Sequence, residues 1–203
     1  KNLASDPAHQ KTLLELRALL QKRIKGMPDL SFYPEPVFLK AATDNPVAFG
    51  QEHKSEIAKL IETADLSLNS FEEAKERIAA AFDSKNPWER YWGLIVCSTF
   101  GKQAAPFYEQ AKKLAADDAE PLVRTRAAEF LGLTGQQDPR PVLTEILNAT
   151  EDHILANLIL NTVVVLQDSK PGYKFDASKL TASWVNNKKA EVASRVLYLC
   201  LLY

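Results

Sequence analysis

The stretch Val123-Arg124-Thr125-Arg126-Ala127-Ala128-Glu129-Phe130-Leu131-Gly132-Leu133-Thr134-Gly135 decides the fold. It reads as one helix that must lie close to another. The paired Ala127 and Ala128 remove the bulk that would hold a neighbouring helix away, and Gly135 supplies the stop. Arg124, near the start, is placed to bond neighbouring turns or carboxylates. Pro121 opens the helix at a position where its missing N–H costs nothing. The same grammar stands earlier in the chain: Pro87, Arg90 and Gly101 precede Pro121, Arg124 and Gly135 at one constant offset of 34 residues. A constant offset in both helix starts and helix stops is the mark of a repeat.

Working outward, each of these helices has a partner before it. Ser70-Phe71-Glu72-Glu73 forms a capping box, which predicts a helix to Phe82 and a second from Asn86-Pro87 to Gly101. Residues 104–116 and 121–135 make the next pair, and 138–149 with 152–167 a third. A weaker fourth runs over 176–186 and from Lys189 to the end. Self-similarity near this period predicts stacked helix pairs, each burying its apolar face against its neighbours. The Val-Arg, Ala-Ala, Leu-Gly and terminal Gly of 123–135 resemble the second helix of a HEAT-like repeat. The period of about 34 is nearer the short HEAT-like class than full-length HEAT repeats, and the tetratricopeptide and ankyrin signatures are absent. The expected fold is therefore all-α: a right-handed α-solenoid of about four HEAT-like helix pairs over 70–203.

Two regions precede it. In 1–26, Asp6 and Pro7 can start a helix, and Leu13, Leu16, Leu20 and Ile24 recur at three- and four-residue spacing up to Gly26. That stripe needs a surface to cover it. In 27–69, Pro28, Pro34, Pro36 and Pro46 are interleaved with Phe32, Tyr33, Phe38 and Phe49, which predicts an extended aromatic and proline strap clipped onto a folded surface. A helix over 52–62 closes this region.

Composition narrows function mainly by exclusion. Of 203 residues, 46% are hydrophobic and 25% charged, which excludes a disordered or collagenous chain. Lys and Arg total 25 against 26 Asp and Glu, so the chain as a whole lacks the positive field of a nucleic-acid binder. No apolar run reaches the 18 or more residues of a membrane span; Asn157, Asn161 and Thr162 interrupt the longest. Seven glycines are about half the usual share, which favours helices over tight-turn folds. Cys97 and Cys200 sit in apolar runs without a C-x-x-C spacing, as packing thiols do.

A search for chemistry returns little. No two of His9, His53 and His153 share a metal-binding spacing, and Walker, G-x-S-x-G and G-x-G-x-x-G motifs are absent. No catalytic, metal or cofactor residue is assigned. Asp117, Asp118 and Glu120 occupy the turn where the next repeat places ordinary caps. The aromatic cluster Trp88, Tyr91 and Trp92 shares one helix face, where rings serve either inter-repeat packing or carbohydrate stacking. With Arg90, Arg124 and Arg126 it forms the candidate interaction surface, although Glu89 and Glu129 on the same helices prevent a basic patch.

Lys1-Asn2-Leu3-Ala4-Ser5-Asp6-Pro7-Ala8-His9, followed by Leu13-Leu14-Glu15-Leu16-Arg17-Ala18-Leu19-Leu20, resembles the end of the catalytic region in formylglycine-dependent sulfatases. There an Asn-Leu-Ala and Asp-Pro turn precedes the closing helix of a small C-terminal subdomain. Bacterial sulfatases that this chain resembles continue with a Phe-Tyr-Pro-Glu-Pro strap and a HEAT-like tail, the order found from Ser31 onward. The resemblance implies a parent that hydrolyses sulfate esters in the periplasm or outside the cell. It places formylglycine, matured from C/S-x-P-x-R, and calcium in a missing catalytic domain. Ser5-Asp6-Pro7-Ala8-His9 has His where that motif needs Arg, so no catalytic residue carries over. This chain is then expected to be a non-catalytic accessory or scaffolding tail. Leu13, Leu16, Leu20, Phe32 and Tyr33 would pack on the missing domain in cis. The alternative is an independent HEAT-like protein-interaction module. The ending Val196-Leu197-Tyr198-Leu199-Cys200-Leu201-Leu202-Tyr203 lacks a polar terminal cap, and a homo-oligomeric contact is its simplest cover.

Overall fold

A computed structural model describes residues 2–186 and 190–200, and every regular element among them is helical. The chain forms two compact units, Lys1–Glu62 and Thr63–Tyr203.

The first unit holds α1 (Gln10–Gly26), α2 (Glu35–Ala41), α3 (Pro46–Glu52) and most of α4 (Lys54–Ala64). Asp6 accepts from the Ala8 N–H at 3.0 Å and opens a short 3-10 turn leading into α1. Gly26 is the last helical residue, not a left-handed cap. The stop comes from Pro28, which pushes Met27 to extended backbone (φ −118°, ψ 96°). The expected extended strap is instead a chain of short helices. Pro36 and Pro46 stand in the first turns of α2 and α3, where proline initiates as readily as it breaks; Asn45 accepts from the Ala48 N–H at 2.9 Å and caps α3. Tyr33 packs edge-on against Phe49 (5.7 Å) and His53 (6.3 Å), and those two rings stack at 4.0 Å.

The second unit holds α5 (Phe71–Phe82), α6 (Pro87–Phe100), α7 (Tyr108–Asp117), α8 (Pro121–Leu133), α9 (Arg140–Ala149), α10 (His153–Asp168) and α11 (Ala190–Cys200). Glu73 accepts from the Ser70 N–H at 2.9 Å, the reciprocal half of the capping box. Helix α5 packs on α6, α7 on α8, and α9 on both α8 and α10, while α6, α8, α10 and α11 follow one another in contact. Phe71, Ala74, Ile78 and Phe82 of α5 are buried at helical spacing. Gly93 lets Phe82 approach: a Cβ there would lie 3.0 Å from its Cε1. Helix α8 is covered on most sides, with Val123, Ala127, Phe130 and Leu131 fully buried. Truncating Phe130 to Ala would cost about 3–5 kcal/mol.

The two stops at offset 34 are real left-handed glycines, Gly101 at φ +57° and Gly135 at φ +70°. The first half of the fourth pair is not a helix. Residues 176–186 form two short 3-10 turns held by side-chain bonds. Thr181 N–H donates to Asn148 Oδ1 (2.8 Å), Asn148 Nδ2 to the Lys179 carbonyl (2.9 Å), and buried Trp184 Nε1 to the Leu147 carbonyl (3.0 Å). These bonds compete with a helical ladder and win. Of the apolar ending, Leu201, Leu202 and Tyr203 lie outside the described residues. Cys97 is buried as expected, whereas Cys200 is exposed.

Candidate functional site

The arginines expected to face a partner are used inside the second unit. Asn86 caps α6 by accepting from the Trp88 N–H at 2.9 Å, and this sets Arg90 one turn in. Its Nε and Nη2 donate to the two oxygens of Asp118 at 2.7 and 2.9 Å, and its Nη1 to the Ser84 carbonyl at 2.8 Å. The Asp118 side chain is 4% exposed and that of Arg90 15%. A bidentate, largely desolvated pair of this kind fixes the turn before α8 against the turn before α6. Asp118 also accepts from the Glu120 N–H (2.9 Å), and Glu120 caps α8 through the Leu122 N–H (3.2 Å). At the equivalent position Arg124 donates from Nε to the Ala115 carbonyl and from Nη2 to Glu145, both at 3.0 Å.

Arg126 joins three helices. Its Nη2 donates to the Tyr91 hydroxyl of α6 (2.9 Å), its Nη1 to Thr162 Oγ1 of α10 (3.2 Å), and it pairs with Glu129 on its own helix. The guanidinium carbon also lies 5.1 Å from the Tyr91 ring centroid. Burial opposes the Arg126 charge, and the Glu129 carboxylate with Tyr91 outweighs it, so the group is held above its ordinary value. Its Nε is buried without a partner. Further along, Arg195 of α11 donates to Asn161 of α10 at 2.5 Å. Polar bonds thus step from α6 to α8 to α10 to α11 at sequence separations of 35, 36 and 34 residues.

Trp88 and Trp92 are half-buried and meet Tyr91 edge-on, at 6.3 and 6.1 Å. Tyr91 itself is buried. The cluster is a packed junction, with its rings turned edge to face against one another.

The first unit offers a different surface. Helix α1 has no buried residue: Leu16, Leu19 and Leu20 are 59, 64 and 59% exposed, and Leu14 61%. Leu13 and Ile24 are half-buried. Lys25 anchors the helix end by an ion pair with Glu62 at 2.6 Å. Exposed Met27 continues the stripe into a notch of about 330 Å³ lined by Met27, Pro28, Leu30, Pro46, Val47, Gly50 and the polar Gln51. Of the residues expected to pack on a missing domain, Leu16 and Leu20 are open and Leu13 and Phe32 half-buried. Tyr33 is buried within the unit, and burial together with Glu56 raises its hydroxyl above the ordinary value.

A feature that sequence reading missed is a cleft of about 630 Å³ where the start of α9 meets residues 174–179. It is lined by Asp138, Arg140, Thr144, Lys174, Asp176 and Lys179. The Arg140 fork grips Asp138 (Nε–Oδ1 3.0 Å, Nη2–Oδ2 2.8 Å) and holds its carboxyl below the usual range. The offset of 34 residues between Arg140 and the Lys174 carbonyl it bonds gave no motif to notice. Among the described residues no three of His, Cys, Asp and Glu converge on a metal-sized site, and no helix is long and apolar enough to cross a membrane.

Comparison of the chain with protein-family models, with curated proteins and with solved structures returned no match.

Proposed function

We propose that this chain is a non-catalytic helical accessory region that docks through α1 onto a separate folded partner. By the resemblance of its opening segment, that partner is the catalytic region of a sulfatase. The observation that carries the reading is the open leucine face of α1 on a helix that buries none of its residues. An isolated helix of 17 residues gains little stability from propensity alone, and contiguous exposed apolar surface marks an interaction site. The turn before it fits the same reading: Ala4 N–H donates to Asn2 Oδ1 (3.0 Å) and Gln10 Nε2 to the Ala4 carbonyl (2.8 Å), so the Asn-Leu-Ala segment folds back onto the helix start.

In this reading the second unit is a short right-handed solenoid of HEAT-like pairs, and the polar steps between its second helices support that arrangement. Sulfate-ester hydrolysis, formylglycine and calcium belong to the catalytic region, in the periplasm or outside the cell. The alternative, a free-standing module binding through Arg90, Arg124 and Arg126, would have to break the bonds those side chains already make. The test is to read the coding sequence upstream of Lys1 and express that region with this chain. An in-frame C/S-x-P-x-R region that co-purifies with the chain, and is lost with Leu16→Asp/Leu20→Asp, supports the proposal. A start codon or an unrelated domain there overturns the sulfatase assignment.

A further inference from the structure

The open face of α1 is not purely apolar. Arg23 lies four residues after Leu19, three after Leu20 and four before Met27, so its side chain projects among the exposed apolar groups. Its guanidinium has no ion-pair or hydrogen-bond partner among the described residues, unlike Lys25, which holds Glu62. The helix as a whole carries Lys11, Arg17, Lys22, Arg23 and Lys25 against Glu15 alone, in a chain whose net charge is −1. Positive charge is therefore concentrated on the element with the open leucines. A surface that covers Leu16, Leu19, Leu20 and Met27 also removes Arg23 from water. A guanidinium is not buried without a compensating anion.

We infer that the partner of α1 presents an apolar surface carrying a carboxylate opposite Arg23, and seats one large apolar side chain in the notch beside Met27 and Val47. The inference rests on the docking reading above and adds the chemistry of the partner's face. Carboxylate is the anion chosen because its two oxygens match the guanidinium fork. The notch accepts an anchor between the apolar side chains of Met27, Pro28, Leu30, Pro46 and Val47, beside the polar Gln51, because Gly50 brings no side chain into it; a Cβ there would lie 3.4 Å from Pro28 Cβ and 3.5 Å from Leu30 Cδ2.

The discriminating substitution is Arg23→Met, which keeps the length of the side chain and removes its charge. If a carboxylate faces Arg23, the Met variant strands that carboxylate and affinity for the separately expressed catalytic region falls by roughly a hundredfold. Arg23→Lys then restores part of it, and Val47→Asp, at a position 73% exposed, weakens binding without unfolding the chain. Circular dichroism on each variant checks the fold. Arg23→Met binding as tightly as wild type, or more tightly, overturns the inference. If Leu16→Asp/Leu20→Asp still abolishes binding in that case, the docking reading stands and only the carboxylate falls. If the wild-type chain fails to bind the catalytic region, both fall together.

Discussion

The Arg90 guanidinium closes on both oxygens of the Asp118 carboxylate, at 2.7 and 2.9 Å, across 28 residues of sequence. With Asp118 almost fully covered, the pair is a fixed joint between successive helix pairs. Asp118→Ala leaves Arg90 covered and uncompensated, an expected loss of about 3–5 kcal/mol. The double replacement Arg90→Met with Asp118→Leu costs less than the single one, because no charge is stranded. Urea unfolding of the three proteins measures this, and a single variant as stable as wild type would contradict the joint.

Gly132 sits where α8 meets α10 and the start of α9. A Cβ there would lie 2.8 Å from Leu166 Cδ2 and 2.9 Å from Pro139 Cγ. Gly132→Ala therefore overpacks the junction and destabilises by about 1–3 kcal/mol, despite the better helix propensity of alanine. Thermal unfolding shows the sign.

The two thiols are expected to behave oppositely. Burial pushes Cys97 up to about 12, so near neutral pH it is neither ionised nor reachable, whereas Cys200 is exposed. A thiol reagent applied to the folded protein modifies Cys200 and spares Cys97 until denaturant is added. Equal reaction of both in the native state would contradict the packing of α6.

At the rim of the cleft, Arg140 holds the Asp138 carboxyl below its ordinary value. A lowered carboxyl contributes stability that is fully present above the ordinary carboxylate range and is lost as pH falls through the lowered value. Arg140→Gln returns Asp138 toward the ordinary range, which a carbon-13 NMR titration of the carboxyls detects. An unchanged midpoint would mean that the fork does not form in solution.

The sequence was most legible where one local signal sufficed. Pro87 and Pro121 open α6 and α8 and left-handed Gly101 and Gly135 end them, because a missing N–H and a missing Cβ act within one turn. Pro36 and Pro46 read as extended chain because proline breaks a helix, yet it also begins one; each stands in the first turn of a short helix, and Asn45 caps the second. Over 176–186 the pattern was overruled from a distance by Asn148, about thirty residues earlier in the chain. Arg124 reads as bonding neighbouring turns or carboxylates, as it does to the Ala115 carbonyl and Glu145; the partners of Arg90 and Arg126 were not legible, for a related reason. A charged residue on a helix reads as solvent-facing, and nothing local shows that the fold will bring Asp118 to Arg90 or Tyr91 and Thr162 to Arg126. On α1, Leu16, Leu19 and Leu20 stand open as the stripe predicts, while Leu13 is half-buried.

Hydrogen exchange of the chain, alone and with the proposed sulfatase catalytic region added, addresses the docking claim most directly. The account predicts slowed exchange across α1, centred on Leu16 to Arg23, with α6 and α8 unchanged. Unaltered exchange in α1 together with slowing in α6 and α8 would contradict it and assign the binding surface to the second helices.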